Sequence, residues 1–290
     1  MWDIMNTGDP SVVSRRESTA RSYCRWFTPV LQRAKGSLLW GDDERRYIDF
    51  LAGAGSLNYG HNDEDLQAAL VDYIAGDGIA HGLDMTTGAK VEFLRAFERH
   101  ILTPRGLDYR CQFTGPTGAN AVEAAIKLAR KVTGRHQIIA FTRAFHGVSS
   151  GALAATANSY FRGGAEQGLS GVTRMPYDGY FGPHVDTSEL LAALLADPAS
   201  GVEPPAAILL ETVQGEGGLE VASPDWLRAV ARIAHDVGAL LIVDDIQAGC
   251  GRTGTFFSVE PAGIQPDLVA LSKSLSGFGL PMSLLCIAPQ

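Results

Sequence analysis

No window of the 290-residue chain approaches the roughly 18 apolar residues that a membrane-crossing helix needs, so the sequence offers no candidate for one. Basic charge is also short. Its 24 lysines and arginines stand against 32 aspartates and glutamates, and the net charge of −8 lacks the basic footprint of non-specific nucleic-acid binding. The four cysteines, Cys24, Cys111, Cys250 and Cys286, show no CxxC and no metal-ligand spacing. That pattern excludes a disulfide scaffold and a zinc site, and it leaves free thiols in a reducing compartment, with the cytoplasm as the expected location. The opening MWDIMNTGDP has no basic stretch followed by an apolar one, so it does not read as a secretory leader. Small molecules or other protein chains are the expected partners.

What the chain does have is core-forming material: 46% hydrophobic and 19% charged residues, in a length sufficient for one or two domains. Residues 1 to about 20 read as irregular. From Tyr23 to Phe50, short apolar pieces (Trp26-Phe27, Leu38-Leu39-Trp40, Tyr47-Ile48) alternate with turn signals, as in small antiparallel strands. The glycine-rich Gly53–Asn62 stretch reads as a loop. Helical spacing follows twice, through Leu66, Ala69, Leu70, Tyr73 and Ile74, then through Val91, Leu94, Phe97 and Ile101. Domain limits are expected at 1–60 for an N-terminal segment and 61–290 for the main domain.

From Tyr109 onward the pattern is βα alternation. Strands are expected at Tyr109–Thr114, Gln137–Phe141, Ala206–Leu210, Ala239–Val243 and Asp267–Leu271, with helices at Gly118–Val132 and Pro224–Val237. Within the first helix Glu123 is placed i,i+4 to Lys127. In the second, Ser223 suits the cap, Pro224 the first turn and Gly238 the close. Residues 160–205 read as excursions with one helix near Ser188–Leu195. The fold class is α/β, a mostly parallel sheet with helices on both faces, plus a small N-terminal segment of short strands. MSLLCIAP, Met282–Pro289, resembles a strand, and because a strand seldom ends a sheet unprotected, a further domain is expected beyond this sequence.

Open α/β sheets bind ligands beyond the C-terminal ends of their strands, and the residues at those ends are unusual here. The first strand leads into Gly115-Pro116-Thr117-Gly118, a glycine turn opening a helix, whose unpaired N–H groups suit a phosphate. The next leads into Phe145-His146-Gly147, where the aromatic ring could lie on a cofactor ring. After the third come Glu211, Gln214 and Glu216; after the fourth, Asp244, Asp245 and Gln247; after the fifth, Lys273. Any one of these taken singly is more often a cap, a turn or a surface group. Together, an amine and a carboxylate at one rim point to pyridoxal phosphate, held through a lysine, with a carboxylate answering its protonated ring nitrogen.

With these residues assembled, the chain resembles the class III aminotransferases of pyridoxal-phosphate fold type I over about residues 20 to 290. The resemblance implies phosphate binding at Thr117-Gly118-Ala119, although Ala119 offers only its backbone N–H where relatives often carry a hydroxyl, and Asn120 replaces a common glutamate. It implies a ring stacked on Phe145 beside His146, a ring nitrogen paired with Asp244, Ile246 over the other face and Gln247 at the phenolic oxygen. Glu211 to Gly218 matches the family's glycine-rich loop. Its second glutamate, here Glu216, can pair in relatives with a substrate-binding arginine of the C-terminal domain, which this sequence does not contain. Relatives complete the phosphate site with a threonine of the neighbouring subunit, so a homodimer or larger homo-oligomer is implied.

Within the family, RSYCR (Arg21–Arg25), GAGSLNYGHN, LDMTTGAK (Leu83–Lys90), GPTGANAVEAA, MPYDGYFG and DDIQAGCGRTGTFFS are closest to the branch that converts aspartate 4-semialdehyde to 2,4-diaminobutyrate with glutamate as donor, the step that opens ectoine synthesis. The implied substrates are glutamate, aspartate 4-semialdehyde and 2-oxoglutarate. Lys273 would be the cofactor-bearing, proton-moving amine and Asp244 the group that keeps the ring nitrogen protonated. An ornithine or 4-aminobutyrate aminotransferase would keep every cofactor residue, and a non-catalytic fragment is the rival from another class.

Overall fold

A computed structural model describes residues 10–18, 29–82, 84–165 and 168–289. The strand pieces expected near Tyr23 and Trp26-Phe27, the Arg21–Arg25 motif, Cys24, and Leu83 of the LDMTTGAK motif lie outside the described residues. The chain divides into two compact units, residues 1–78 and 79–290.

In the first unit, helix α1 (Pro10–Arg16) precedes an antiparallel meander of β1 (Leu31–Lys35), β2 (Leu38–Gly41) and β3 (Arg46–Ile48). The Arg33 guanidinium lies 3.9 Å from the centre of the Trp40 ring, so this small sheet is held partly by a cation–π contact. The stretch expected to be loop contains one tight left-handed turn, α2 (Ala52–Gly55), where Gly53 and Ala54 both have positive φ. Helix α3 (Glu64–Ala75) starts at Asp63, whose carboxylate accepts the N–H groups of Asp65 and Leu66 and so satisfies two orphan donors.

The second unit opens with α4 (Gly88–Phe97), which continues through a π-helical turn at Glu98–Leu102. Around its sheet are β4 (Arg110–Gly115), α5 (Gly118–Thr133), β5 (Ile138–Phe141), α6 (Ser150–Ala155), α7 (Ser159–Arg162), β6 (Val172–Met175), α8 (Thr187–Ala196), β7 (Ala207–Leu210), the hairpin β8 (Val213–Gln214) and β9 (Glu220–Val221), α9 (Pro224–Asp236), β10 (Leu240–Asp244), β11 (Leu268–Leu271) and β12 (Ser283–Ile287). The seven-stranded order is β4-β12-β11-β10-β7-β5-β6. Only β12 runs against its neighbours, pairing antiparallel with both β11 and β4. The apolar run at Met282–Pro289 is thus an interior strand.

Strand alternation divides the core between two faces. Ile138 and Ala140 of β5 pack with Ala121, Val122, Ala125 and Ala129 of α5, while Ile139 and Phe141 face Trp226, Leu227 and Val230 of α9. Each large aliphatic or aromatic side chain buried this way contributes about 1.5–3 kcal/mol, which makes the sheet a firm platform for its strand ends. Helix α9 has the expected punctuation: Ser223 Oγ accepts the Trp226 N–H at 3.2 Å, Pro224 fills the first position, and Gly238 turns the chain at φ 65°.

Three expectations need correction. Within the stretch expected to be irregular, Pro10–Arg16 form helix α1. Glu123 does not turn along its helix to Lys127. Its Oε1 accepts from Ser149 Oγ at 2.9 Å, Gly151 N at 2.7 Å and Ala152 N at 3.0 Å, because the unpaired N–H groups opening α6 are better partners than an exposed ammonium. Residues 160–205 hold a sheet strand, β6, besides the expected helix; carrying Thr173 and Arg174 at the sheet's edge, it lacks the apolar run of an interior strand.

Candidate active site

The C-terminal ends of β4, β5, β7, β10 and β11 converge on one pocket of about 590 Å³ open to solvent. It is lined by Gly118, Ala119, Phe145, His146, Glu211, Glu216, Asp244, Ile246, Gln247 and Lys273, together with Gly147, Val213, Ala248 and Ser272. Nearly every residue singled out from the sequence therefore reaches one place. Thr117 does not line it. It caps α5 from an exposed position, with both its N–H (3.1 Å) and its hydroxyl (2.8 Å) directed to Asn120 Oδ1. Asn120 thereby ties down the turn, a use of the side chain that the sequence did not reveal.

At the opening of α5, the N–H groups of Gly118 and Ala119 have no carbonyl one turn back to bond, and the helix dipole places partial positive charge there. A β-carbon at Gly118 would stand 2.7 Å from Ile246 Cδ1, so glycine lets the loop after β10 close against the start of this helix. Gly215 serves a similar purpose, since a β-carbon there would lie 1.5 Å from Gln247 Oε1.

Asp244, the last residue of β10, is 5% exposed. Its Oδ2 lies 2.8 Å from His146 Nδ1, and its Oδ1 accepts the Ile246 N–H at 3.2 Å. His146 is itself buried, and its Nε2 has no hydrogen-bond partner among the described residues. A carboxylate held so firmly at a pocket wall is prepared to meet a cationic donor. Two further carboxyls, Glu211 and Glu216, line the same pocket. Glu211 Oε2 accepts the Phe145 N–H at 3.1 Å, which fixes the loop bearing the aromatic ring. Burial, reinforced by the charge of Asp244, raises the Glu211 carboxyl well above the usual range.

Lys273 follows β11 at φ 51°, a left-handed conformation that is unusual outside glycine and clusters at functional sites. Burial pushes its amine below the ordinary lysine value, against the opposing pull of Asp244, Glu216 and Glu211. A less basic lysine is a better nucleophile and proton carrier near neutral pH.

Asp245 points away from the pocket's lining. Wholly buried, it accepts the Ser258 N–H at 3.1 Å and the Ser258 hydroxyl, and Ser258 also receives the Thr212 hydroxyl, so the loops after β7 and β10 share one polar support. Burial raises its carboxyl to about 7. No group of His, Cys, Asp and Glu suited to a metal ion occurs among the described residues, and no described helix is long and apolar enough to cross a membrane.

Comparison with known proteins agrees with this geometry. Residues 19–288 match the family Aminotransferase class-III. The diaminobutyrate–2-oxoglutarate transaminase of Vibrio cholerae is 59% identical over 279 residues, 96% of this chain and 67% of that protein. Its Bordetella parapertussis counterpart is 55% identical, over 97% of this chain and 65% of that protein. The chain thus spans about two thirds of the length of such relatives. Among solved structures, the ornithine aminotransferase of Toxoplasma gondii, described with partial occupancy of pyridoxal phosphate at its active site, superposes with a TM-score of 0.79 at 27% identity, covering 95% of this chain and 62% of that one. The chain belongs to the class-III aminotransferase family.

Proposed function

We propose that this chain is the cofactor-binding part of an enzyme that moves the amino group of L-glutamate onto L-aspartate 4-semialdehyde, giving 2-oxoglutarate and L-2,4-diaminobutyrate, with pyridoxal 5'-phosphate as cofactor. One observation carries the cofactor assignment: the Lys273 amine, made less basic by burial, shares a pocket with the buried, histidine-anchored carboxylate of Asp244. The substrate assignment rests on identity to the named relatives, which extends over nearly all of this chain.

The residues present fit the cofactor. Amides at the start of α5 suit a phosphate, Phe145 and Ile246 suit the two faces of a ring, and an amine and a carboxylate suit its two reactive positions. Pyridoxal phosphate supplies an aldehyde that bonds covalently to amines and a ring that accepts electrons when its nitrogen is protonated. Asp244 would accept the hydrogen bond of that protonated nitrogen and so keep the proton on it, and His146 holds Asp244 in place. Lys273 would hold the cofactor through its amine, and the same amine would move the proton at the substrate's Cα. Gln247 orients the ring from its phenolic side, Glu211 positions Phe145, and Thr117 steadies the phosphate turn from its rim. Glu216 lies on the substrate side. A second copy of the protein completes the site, and the enzyme works in the cytoplasm.

The test has two arms. Borohydride reduction of the protein with pyridoxal phosphate, followed by peptide mass spectrometry, is expected to fix one pyridoxyl group on Lys273; its absence there overturns the cofactor reading. Amine donors are then compared with 2-oxoglutarate as acceptor, and diaminobutyrate is expected to exceed ornithine and 4-aminobutyrate. A preference for ornithine, which the likeness to the Toxoplasma enzyme makes the natural competitor, overturns the substrate reading and leaves the cofactor reading intact.

A further inference from the structure

Two thiols meet across the outer edge of the large sheet. Cys286 of β12 stands directly opposite Cys111 of β4 in the antiparallel register. Opposed residues on such a pair point to the same face with Cα atoms about 4.5–5.5 Å apart, inside the roughly 4.4–6.8 Å that a disulfide spans. The Cys286 thiol hydrogen-bonds to the Cys111 sulfur. Their surroundings differ: Cys286 is fully buried, whereas Cys111, on the outermost strand, is partly exposed. A reagent from solvent would thus meet Cys111 before Cys286. Neither lines the cofactor pocket, and the proposed transamination uses neither.

We propose that Cys111 and Cys286 form a modification site, a thiol pair that a small solvent disulfide such as oxidised glutathione converts into a covalent bridge between β4 and β12. Cys111 attacks one sulfur of the reagent as its thiolate, breaking the reagent's S–S bond, joining one half to Cys111 and releasing the other as a thiol. Cys286 then loses its proton to solvent and attacks the Cys111 sulfur, expelling the second half. Two protein thiols are oxidised and one disulfide is reduced to two thiols.

The electrostatics favour this order. The hydrogen bond from Cys286 holds the Cys111 thiol below its ordinary value and makes it the first nucleophile. Cys286 is held well above, first by its bond to Cys111, then by burial and by the Cys111 charge. Capping Cys111 removes the first and third of these causes, so the first step frees the second thiol to ionise. The bridge would fasten the strand that ends at Gly115, whose carbonyl already accepts the hydroxyl of Ser283 on β12, to its only sheet neighbour among the described residues.

The experiment treats the reduced, full chain with oxidised glutathione, quenches it by alkylation, digests it without reduction and reads the peptides by mass spectrometry. The wild type is expected to yield a single cross-link between the Cys111 and Cys286 peptides, with the loss of two hydrogens. Cys286→Ser is expected to stop at one glutathionyl group on Cys111, and Cys250→Ser to cross-link like the wild type. The proposal is overturned if wild type retains the glutathionyl group without closing, if the bridge forms to Cys24 or Cys250, or if both thiols stay unmodified under conditions that oxidise a control dithiol. The wild-type result needs no substitution, so a variant that fails to fold leaves the test intact.

Discussion

Replacing Asp244 by asparagine is expected to separate the cofactor role of this carboxylate from its structural role. Asparagine keeps the size, and its Oδ1 can still accept from His146 Nδ1, where the wild-type contact is 2.8 Å and both side chains are buried. The fold therefore exchanges a charge-assisted hydrogen bond for a neutral one, a loss of about 1 kcal/mol. For a chain of this size that lowers Tm by about 2–4 °C. Binding of the cofactor suffers more. A protonated ring nitrogen then lacks its carboxylate, and at about 1.5–3 kcal/mol for a hydrogen bond to a charged group the dissociation constant for pyridoxal phosphate rises about 10- to 150-fold. Titration followed by the cofactor's absorbance, beside a melting curve of the cofactor-free protein, gives both numbers. Unchanged affinity would remove Asp244 from the cofactor, and a Tm fall well beyond 10 °C would make it a fold residue first.

Lys273→Met is expected to abolish the borohydride-fixed pyridoxyl group and to stabilise the cofactor-free protein. A lysine whose folded pKa is lowered destabilises the fold while it must stay charged, and that penalty fades as pH rises from the folded pKa toward the unfolded value near 10.5. The variant's advantage in urea melts should thus be largest at low pH; an advantage that grows with pH would contradict the burial reading. Asp245 has the complementary sign for an acid. With its folded pKa near 7 against 3.8 unfolded, it contributes stability below about pH 4 that is lost as pH rises to about 7, on the order of 4 kcal/mol at 1.36 kcal/mol per unit. Asp245→Asn should flatten that part of the stability profile, and a profile that falls as steeply in the variant would move the effect elsewhere. Glu123→Ala should cost about 1–2 kcal/mol by uncapping α6, visible as a Tm lowered by about 2–8 °C and faster amide exchange at Gly151 and Ala152; unchanged exchange there would refute the capping.

The parts of the fold legible in the sequence are those set by local pattern. Buried parallel strands are continuous apolar runs, and β5, β7, β10 and β11 begin within a residue of where those runs predict. Helix α9 could be bounded from Ser223, Pro224 and Gly238 because its caps lie in adjacent sequence. Contacts between distant segments were not legible. The bond of Asp244 to His146 joins the end of β10 to the loop after β5, which only the sheet brings together, and the turn of Glu123 away from Lys127 depends on where α6 begins. The short β8–β9 hairpin was hidden in a glycine-rich stretch, where two residues per strand leave no alternation to read. For the site, residue types were legible at the strand ends. The exclusion of Thr117 from the pocket was not, because it follows from its bonds to Asn120.

The position of β12 bears on the order in which this protein can assemble. The strand that leads into the proposed phosphate turn emerges early in synthesis, yet among the described residues its only partner in the sheet is the last strand of the seven to be made. Loop closure between such remote segments is slow, and until it occurs β4 presents an unpaired edge. On the ribosome, the other strand ends can be in place while the proposed anion-binding turn is still detached. A nascent chain should therefore acquire its vitamin-derived ligand only after residue 287 has cleared the exit tunnel.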